Sequence, residues 1–345
     1  MTAGTLTTTL LSRIGEAGNR TLVLPLVAFF PTSRCNSQCQ SCAWWQSSGS
    51  DDLSLGEIAG LVDTFSTLGT RLVVFSGGEP LLRPDVFDIA RLFRSRGIAL
   101  HLLTSGLGLA SRATEVAQHF ERVIVSLDAT SAPLYAQIRG VDGLGAVTAG
   151  VARLTTIAPQ LPVTARATLH GLNFRELPHL IDGARGIGFT GISFLAADVT
   201  SGAFGRDGGS GPKDLLLTTD EVAEFRTIVD EGLITHAEDL ESGFVSDRPE
   251  AIQRLPQYYA AMLGEAPFPR VSCNAPWVSA VVEGNGDVRP CFFHEPIGNV
   301  RRQPLDTIVR RHLREFRATL DVATNRTCTH CVCSLKTGWR NQPWR

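Results

Sequence analysis

The chain contains few lysines and no long apolar run. Only Lys213 and Lys336 are lysines among 32 basic residues, and the formal net charge is −2. No broad positive field therefore favours nucleic acid or an anionic membrane surface as a partner. No apolar run approaches the roughly 20 residues that span a bilayer. The first residues also lack a basic segment followed by a small-residue cleavage site, which predicts a cytoplasmic protein.

The one local concentration of positive charge is six arginines between Arg301 and Arg317. Asp306 and Glu315 lie among them, and apolar residues recur there at helical spacing. This pattern is typical of a solvated helix face rather than of a nucleic-acid patch. We therefore expect neither a nucleic-acid nor a membrane partner.

Cysteine is absent from residues 43 to 272, and its eight occurrences form two groups. The first group is Cys35, Cys39 and Cys42, and the second is Cys273, Cys291, Cys328, Cys331 and Cys333. In a chain without a secretion signal, such thiols are expected to be reduced and to bind metal rather than to form disulfides.

The first group follows the apolar run Leu22 to Phe30 with a C-x3-C-x2-C spacing. Three thiolates at these spacings can converge on one face of a loop and hold an iron–sulfur cluster. A [4Fe–4S] cluster has four irons, so three cysteines leave one iron open to bind and activate a ligand. Two alternatives remain: a disulfide, which needs an oxidising compartment, and structural zinc, for which no fourth ligand lies nearby.

Apolar runs alternate with amphipathic segments through the first 200 residues. Strands are predicted near 22–30, 72–75, 98–103, 123–127, 163–169 and 192–195. Helices are predicted after the capping box Ser54-Leu55-Gly56-Glu57 and near 85–95, 111–120, 144–156 and 176–186. Six strands with crossover helices favour a parallel sheet with helices outside, but they are too few for the usual eight-stranded barrel. We therefore predict an open, partial barrel.

Polar residues follow the carboxyl ends of most predicted strands. They are the cysteine loop, Gly77 to Pro80, Thr104 to Gly106, Asp128 and Asp198. In parallel α/β folds this edge of the sheet binds ligands. We therefore expect the chemistry to cluster at one side of the barrel.

The chain changes character after the sixth predicted strand. Residues 200–212 are rich in glycine, which is typical either of a mobile loop over the barrel or of a plain linker. Thr218 to Glu221 then has the spacing that begins another helix. Further on, two apolar runs flank Glu283 to Asp287, a hairpin pattern with Cys273 before it and Cys291 after it.

The first cysteine group and one turn together resemble the radical S-adenosylmethionine (SAM) superfamily. The turn is Gly77-Gly78-Glu79-Pro80, after the second strand. The second cysteine group has the spacing C-x12-G-x4-C followed by C-x2-C, which is similar to the auxiliary-cluster region of the SPASM and twitch subfamilies. Four thiols close one cluster, so five thiols match the shorter twitch form. Whether Cys331 or Cys333 is a ligand stays open.

The resemblance implies an α/β fold with three parts. Residues 1–200 are expected to form a partial (β/α)6 TIM-like barrel, and residues 201–270 a loop and helical connector. Residues 271–345 are expected to form a small C-terminal domain of a β-hairpin plus a helix that holds an auxiliary [4Fe–4S] cluster.

The resemblance also implies which residues surround each cofactor. Metal ligation is implied for Cys35, Cys39, Cys42, Cys273, Cys291, Cys328, Cys331 and Cys333. SAM contacts are implied for Gly77, Gly78, Glu79, Thr104, Ser105, Ser126, Asp128, Arg139 and Arg166. Trp44 and Trp45 are expected either to cover the adenine or to pack on the barrel.

By the same resemblance, one electron from the first cluster cleaves SAM to methionine and a 5′-deoxyadenosyl radical, which takes a hydrogen atom from the substrate. The auxiliary cluster would accept an electron from the substrate radical, and a nearby acid or base would handle the proton. The candidates flank the sixth strand's end or the auxiliary hairpin. They are Asp198, Arg206, Asp207, His294 and Glu295, with Asp198 first, although capping a loop is its alternative role.

These inferences leave three functional hypotheses. The first is a cytoplasmic oxidoreductase of natural-product biosynthesis that oxidises or epimerises a small metabolite such as a sugar, aminocyclitol or pathway intermediate. The second is a maturase of a ribosomally made peptide, and the third is a non-catalytic iron–sulfur or zinc-binding protein. For either enzyme we expect an electron donor of the flavodoxin or ferredoxin type.

Overall fold

The parallel strands form one sheet that continues into an antiparallel hairpin. A computed structural model describes residues 3–206, 211–338 and 343. The strands are β1 (Leu26–Thr32), β2 (Leu72–Gly77), β3 (Ala99–Thr104), β4 (Arg122–Ser126), β5 (Val163–Leu169), β6 (Gly191–Ala196), β7 (Ser279–Val282), β8 (Asp287–Arg289) and β9 (Gly298–Asn299). Their order in the sheet is β6-β5-β4-β3-β2-β1-β7-β8-β9. Strands β1 to β7 pair in parallel, and β8 and β9 pair antiparallel.

Helices connect the strands and cover the outside of the sheet. The α-helices are α1 (Ala3–Ala17), α2 (Leu55–Thr67), α3 (Val86–Arg94), α4 (Leu109–His119), α5 (Ala132–Arg139), α6 (Leu144–Ile157), α7 (Leu177–Ile187), α8 (Thr219–Thr235), α9 (Ala237–Glu241), α10 (Pro249–Met262), α11 (Ala275–Val278), α12 (Leu305–Thr307), α13 (Leu313–Thr319) and α14 (Arg326–Thr329). A π-helical turn, Ile308–His312, joins α12 to α13. Short 3₁₀ helices span Trp44–Gln46, Pro80–Leu82, Phe174–Glu176 and Lys213–Leu215.

The two faces of the parallel strands are buried to different degrees. In β3, Leu100 and Leu102 are fully buried in the same cluster as Phe93 and Val116 of the flanking helices. The alternate side chains of β3 are half-buried, and His101 is one of those that line an interior cavity. Successive side chains of a strand point to opposite faces. The core therefore lies between sheet and helices, and the concave face of the sheet lines an open lumen.

The predicted architecture is confirmed: the fold is mixed α/β, a partial barrel that contains the six predicted parallel strands and is followed by a C-terminal hairpin. Strand β7, which begins that hairpin, adds a seventh parallel strand beside β1. The first strand begins later than predicted, at Leu26 instead of Leu22. The Leu24 N–H donates to Leu68 O at 2.7 Å, outside the ladder, and Pro25 has no N–H to give. The hydrophobic run therefore begins four residues before the strand, and the strand continues two residues past the run, to Thr32.

The C-terminal hairpin extends the barrel sheet. Strand β7 pairs with β1, and Ser279, its first residue, lies opposite Leu26, the first residue of β1. Cys273 precedes β7 and Cys291 follows the antiparallel β8, so both lie toward the amino ends of the parallel strands. The cysteine loop of 35–42 follows the carboxyl end of β1. The residues predicted to cluster at the carboxyl ends of the strands do meet there: Glu79 accepts hydrogen bonds from Thr104 and Ser105, and Asp198 is linked through Arg206 to Ser41 of the cysteine loop. The second cysteine group, which that prediction did not include, lies toward the amino ends.

Helix α5 is an element that the hydrophobic pattern did not reveal. It has Pro133 in its first turn and ends at Gly140 in the left-handed conformation, with φ of 64°. This pairing of proline at the start and glycine after the end marks a short helix.

No helix in the described part of the chain combines the length and apolar character needed to cross a membrane.

Candidate functional site

The cysteine loop at the carboxyl end of β1 is held in place by the end of α5. The backbone N–H of Gln38 donates to Arg139 O at 2.9 Å, and that of Gln40 donates to Ile138 O at 3.0 Å. A side chain at Gly140 would place its Cβ 2.5 Å from Gln38 O. Glycine is therefore required where α5 meets the loop.

The three thiols of this loop share a buried environment. Burial raises the pKa of Cys35 and Cys39 and raises that of Cys42 to about 12. Metal binding must therefore displace thiol protons. Among the residues described, no three His, Cys, Asp or Glu side chains converge as closely as a single metal ion requires.

Buried polar atoms beside the loop show what the site accepts. Arg139 forms a buried ion pair with Asp128, Nη1 to Oδ2 at 3.0 Å, and the Thr168 N–H donates to Asp128 Oδ1 at 2.8 Å. Arg139 Nε and Ser37 Oγ are buried and have no hydrogen-bond partner in the described chain. A cluster of thiols with unused cationic and hydroxyl groups beside them fits an iron–sulfur cluster and an anionic ligand group.

The Gly77-Gly78 turn packs against the start of the cysteine loop. Gly77 has φ of 101°, and a Cβ on Gly78 would lie 2.0 Å from Arg34 O. The Glu79 N–H donates to Arg34 O at 2.7 Å. The sequence suggested that these glycines allow a ligand to approach. In the structure, the backbone that approaches Gly78 is that of the residue preceding Cys35.

The Glu79 side chain connects two strand ends. It is 1% exposed. Its Oε1 accepts hydrogen bonds from Leu81 N at 3.0 Å and from Thr104 Oγ1 at 2.8 Å, and its Oε2 accepts one from Ser105 N at 2.6 Å. Ser105 Oγ in turn reaches Asn36 Oδ1 at 3.5 Å. These polar residues form one network beneath the cysteine loop.

The remaining predicted SAM contacts, Ser126 and Arg166, lie on the neighbouring strands β4 and β5. Ser126 is the last residue of β4, and its register partner on β5 is Arg166. Arg166 lines the interior cavity, where its Nε donates to Ser193 Oγ at 3.1 Å. Of the SAM contacts predicted, Arg166 is the one whose side chain lies on the wall that also carries the C-terminal cysteines.

The C-terminal thiols line a cavity of about 280 Å³ inside the barrel. Apolar side chains of the first four strands form one wall and the C-terminal segment forms the rest, with His101 and Arg166 among the polar exceptions. Burial lowers the pKa of His101 to about 4, so this ring is neutral near pH 7. The cavity joins the concave face of the sheet to the second cysteine group.

Hydrogen bonds distinguish four of the five C-terminal thiols. Ala275 N donates to Cys273 Sγ at 3.4 Å, Cys333 N donates to Cys331 Sγ at 3.4 Å, and His294 Nε2 lies 3.4 Å from Cys328 Sγ. The backbone N–H groups of Phe293 and His294 face the Cys291 thiol and partly offset the burial that raises its pKa to about 11. Within the described residues, Cys333 Sγ accepts no such bond. Hydrogen bonds to sulfur are a common feature around cluster ligands.

The predicted acid–base residues occupy different settings. His294 is 8% exposed, and burial lowers its pKa. Glu295 is exposed on the same loop. Asp198 and Arg206 form a buried ion pair, Nη1 to Oδ2 at 3.1 Å, in the segment 198–206 that follows β6, here called the β6 loop. Asp207 lies outside the described residues.

The two tryptophans contact β1 and the end of the cysteine loop. Trp44 packs edge-on against Phe30 of β1, with ring centroids 5.7 Å apart. Trp45 donates from its indole Nε1 to Cys42 O at 3.0 Å. Of the two predicted roles, these contacts favour packing.

A partial parallel barrel with three thiols at one end and five at the other defines an iron–sulfur protein of the TIM-like barrel class. Two family models match this chain: that of the radical SAM superfamily over residues 29–182 and that of SPASM, an iron–sulfur cluster-binding domain, over residues 273–332. The chain belongs to the radical SAM superfamily and carries a SPASM-type C-terminal domain. Its cofactors are accordingly SAM, a [4Fe–4S] cluster and auxiliary iron–sulfur chemistry.

Curated relatives match mainly in the barrel. An AdoMet-dependent heme synthase of Methanosarcina barkeri is 30% identical over 168 residues, which are 47% of this chain and 48% of that protein. A probable GTP 3′,8-cyclase of Thermococcus kodakarensis is 33% identical over 155 residues, which are 44% of this chain and 50% of that protein. The match thus spans about half the length of these relatives.

Solved structures show the same fold over more of the chain. Streptococcus suis SuiB bound to S-adenosylmethionine has a TM-score of 0.64 at 12% identity and covers 94% of this chain and 75% of its own. The native enzyme anSMEcpe with bound AdoMet has a TM-score of 0.64 at 17% identity, covering 89% and 86%. At these identities the likeness establishes the fold alone.

Proposed function

We propose that this radical SAM enzyme oxidises or epimerises a small metabolite held in the barrel lumen. The observation that carries the proposal is the concave face of the sheet, whose apolar side chains face the second cysteine group across a cavity of about 280 Å³. The auxiliary cluster would take the part of this cavity that the thiols line, and the substrate the part next to the sheet. The curated relatives are named for heme synthesis and GTP cyclisation, both of which are small-molecule reactions.

We assign Cys35, Cys39 and Cys42 as ligands of the SAM-binding cluster. When bound and reduced, this cluster and SAM supply a 5′-deoxyadenosyl radical that abstracts hydrogen from the substrate. The role of this chain's residues is to bind, orient and shield. Residues proposed to surround SAM are Gly77, Gly78, Glu79, Thr104, Ser105, Ser126, Asp128 and Arg139. Arg139, with its unpartnered Nε, is the cation best suited to an anionic group of SAM.

We assign Arg166 to the substrate instead of to SAM. Of its guanidinium nitrogens only Nε has a hydrogen-bond partner in the described chain, Ser193 Oγ. Burial raises the pKa of Asp247 and of Cys333, and the nearby Arg166 charge partly offsets that rise, so two groups of the protein already lie within its electrostatic reach. Its unused donors still favour a further anionic partner in the lumen. A carboxylate or phosphate on the substrate would supply it.

We assign Cys273, Cys291, Cys328 and Cys331 as ligands of the auxiliary cluster and leave Cys333 outside the set. The hydrogen bonds to the first four sulfurs support this choice. Such a cluster would accept an electron from the substrate radical, and His294, on the cavity wall beside Cys328, is the proposed proton acceptor. A flavodoxin- or ferredoxin-type protein is the proposed electron donor.

A peptide substrate is the second candidate. SuiB was solved with its precursor peptide SuiA, and anSMEcpe with a Cp18Cys peptide, so this fold accommodates peptides. The curated relatives, which are named for heme synthesis and GTP cyclisation, favour the metabolite.

Mass spectrometry after anaerobic incubation with SAM, reductant and candidate substrates tests the proposal. We expect 5′-deoxyadenosine and a two-hydrogen loss, or an inverted centre, in an anionic small molecule. Arg166→Gln should raise the KM for that substrate by at least tenfold while leaving 5′-deoxyadenosine formation without substrate unchanged. A two-hydrogen loss seen only on peptides would overturn the metabolite assignment.

A further inference from the structure

The β6 loop lies against the cysteine loop on both sides of Cys42. Phe204 O accepts a hydrogen bond from Ala43 N at 2.8 Å. Arg206 Nη2 donates to Ser41 O at 2.6 Å. The residues immediately before and after Cys42 are therefore both bound to the same neighbouring loop, and the Cys42 thiol itself donates to Phe204 O at 3.6 Å.

Arg206 is itself held by the β6 loop. Its Nη1 donates to Asp198 Oδ2 at 3.1 Å and to Ser201 O at 3.2 Å, and its Nη2 donates to Asp198 O at 2.8 Å. The side chains of Arg206 and Asp198 are 8% and 2% exposed. A guanidinium with four acceptors has little freedom, so the contact to Ser41 is geometrically fixed.

The Asp198 carboxylate has no oxygen free for proton transfer. Its Oδ1 accepts from Thr200 N at 3.1 Å and from Thr200 Oγ1 at 3.0 Å. Its Oδ2 accepts from Ser201 Oγ at 2.5 Å as well as from Arg206. A general base must reach the proton that it removes. These contacts instead suit a carboxylate that orders a loop and orients an arginine.

The backbone of the β6 loop takes a conformation that only its contacts can maintain. Phe204 has φ of 63° and Gly205 has φ of 74°, and a non-glycine residue in this region is strained. A Cβ on Gly205 would lie 2.9 Å from Trp44 N. The Phe204 ring meets that of Phe293 at 6.0 Å, edge to face. The loop therefore also contacts the segment that carries Cys291.

We propose that Arg206, oriented by Asp198, is a positioning residue for the SAM-binding cluster. It fixes the Ser41 carbonyl and thereby the direction in which Cys42 presents its sulfur to iron. This inference replaces the acid–base role predicted for both residues, and it rests on the proposed assignment of Cys35, Cys39 and Cys42 as ligands.

The test measures each cluster separately in anaerobically reconstituted protein. In a Cys328→Ala/Cys331→Ala background, only the SAM-binding cluster should remain, at about four irons per chain. Arg206→Gln in this background should lower bound iron at least twofold and shift or broaden the electron paramagnetic resonance (EPR) signal of the reduced cluster. Arg206→Lys, which keeps the charge and one donor, should recover part of both. Arg175→Gln, which removes an exposed arginine paired with Glu224, is the matched control and should change neither.

Arg206→Gln in the otherwise unchanged chain shows whether the fold survives. We expect it to keep the auxiliary cluster's iron and EPR signal. Loss of both clusters would contradict a positioning role, because Arg206 would then be a general folding residue. Unchanged iron and an unchanged EPR signal of the SAM-binding cluster would also overturn the inference. If Cys35→Ala/Cys39→Ala/Cys42→Ala instead retained that cluster, the ligand assignment itself would fail, which is a distinguishable result.

Discussion

The two ends of the barrel hold thiols in different ways. At the carboxyl end, three cysteines lie on one short loop. Three neighbouring elements contact this loop and hold it in position: the end of helix α5, the Gly77-Gly78 turn and the β6 loop. At the amino end, five cysteines come from two segments separated by about 40 residues, Cys273 to Cys291 and Cys328 to Cys333. The first end is local in sequence and braced from outside, whereas the second is assembled from distant segments.

This difference suits different tasks. A cluster with three protein ligands has an open iron for SAM, so its surroundings must keep the sulfurs fixed while ligands enter and leave. A cluster with four ligands is closed and needs only suitable hydrogen bonds to its sulfurs to set its potential. The contacts from neighbouring elements therefore concentrate at the carboxyl end, whereas hydrogen bonds to sulfur occur at both ends: Ser37 N donates to Cys35 Sγ at 3.5 Å, and Ala275 N donates to Cys273 Sγ at 3.4 Å.

The largest loss of stability and iron is expected from a substitution that disrupts the packing of the Gly77-Gly78 turn against the cysteine loop. Gly78→Ala would place a Cβ 2.0 Å from Arg34 O, so backbone must move next to Cys35. We expect a destabilisation on the order of 3 kcal/mol and loss of the SAM-binding cluster, with iron falling from about eight to about four per chain. Iron analysis and denaturant unfolding measure both.

Gly145→Ala is the matched control for this substitution. Gly145 lies in α6, and a Cβ there meets nothing within 4 Å. It should raise stability by about 0.5–1 kcal/mol and leave iron unchanged. An unchanged iron content of about eight per chain in Gly78→Ala would show that the turn does not hold the cysteine loop in position.

At the amino end, a comparison of Cys331 and Cys333 tests which of the two is a ligand of the auxiliary cluster. Cys331→Ala should remove the auxiliary cluster and about four irons, because Cys331 Sγ accepts a hydrogen bond from Cys333 N. Cys333→Ala should keep about eight, since its sulfur accepts no such bond within the described residues. The reverse pattern in iron content and EPR spectra would make Cys333 the ligand.

A smaller effect is expected on the pH dependence of stability, through His101 on the wall of the lumen. Burial lowers the pKa of His101 from 6.5 to about 4, so between these values the unfolded chain binds a proton that the folded chain does not. This contribution to stability is complete about one pH unit above 6.5 and is lost as the pH falls towards 4; at pH 5.5 the loss is on the order of 1 kcal/mol.

His101→Gln should therefore reduce the drop in unfolding free energy between pH 7.5 and 5.5 by about that amount. Denaturant titrations of both proteins at the two pH values measure it. Equal pH dependence in the two proteins would mean that His101 is protonated in the lumen.

Sequence patterns predicted the parallel strands because each is a continuous or alternating apolar run bounded by turn residues. They also predicted the Cys35 loop, since its ligands lie within eight residues. The position of the second cysteine group could not be predicted, because it depends on β7 pairing with β1 some 250 residues away. The role of Arg206 was likewise hidden, since its contact with Ser41 joins residues 165 positions apart.

The most direct test of the central claim, that the two cysteine groups have separate tasks, is 5′-deoxyadenosine formation from SAM under reducing, anaerobic conditions. We predict formation by the unaltered protein and by Cys328→Ala/Cys331→Ala, and none by Cys35→Ala/Cys39→Ala/Cys42→Ala. Product formed by the last variant, or abolished equally in both, would contradict the account.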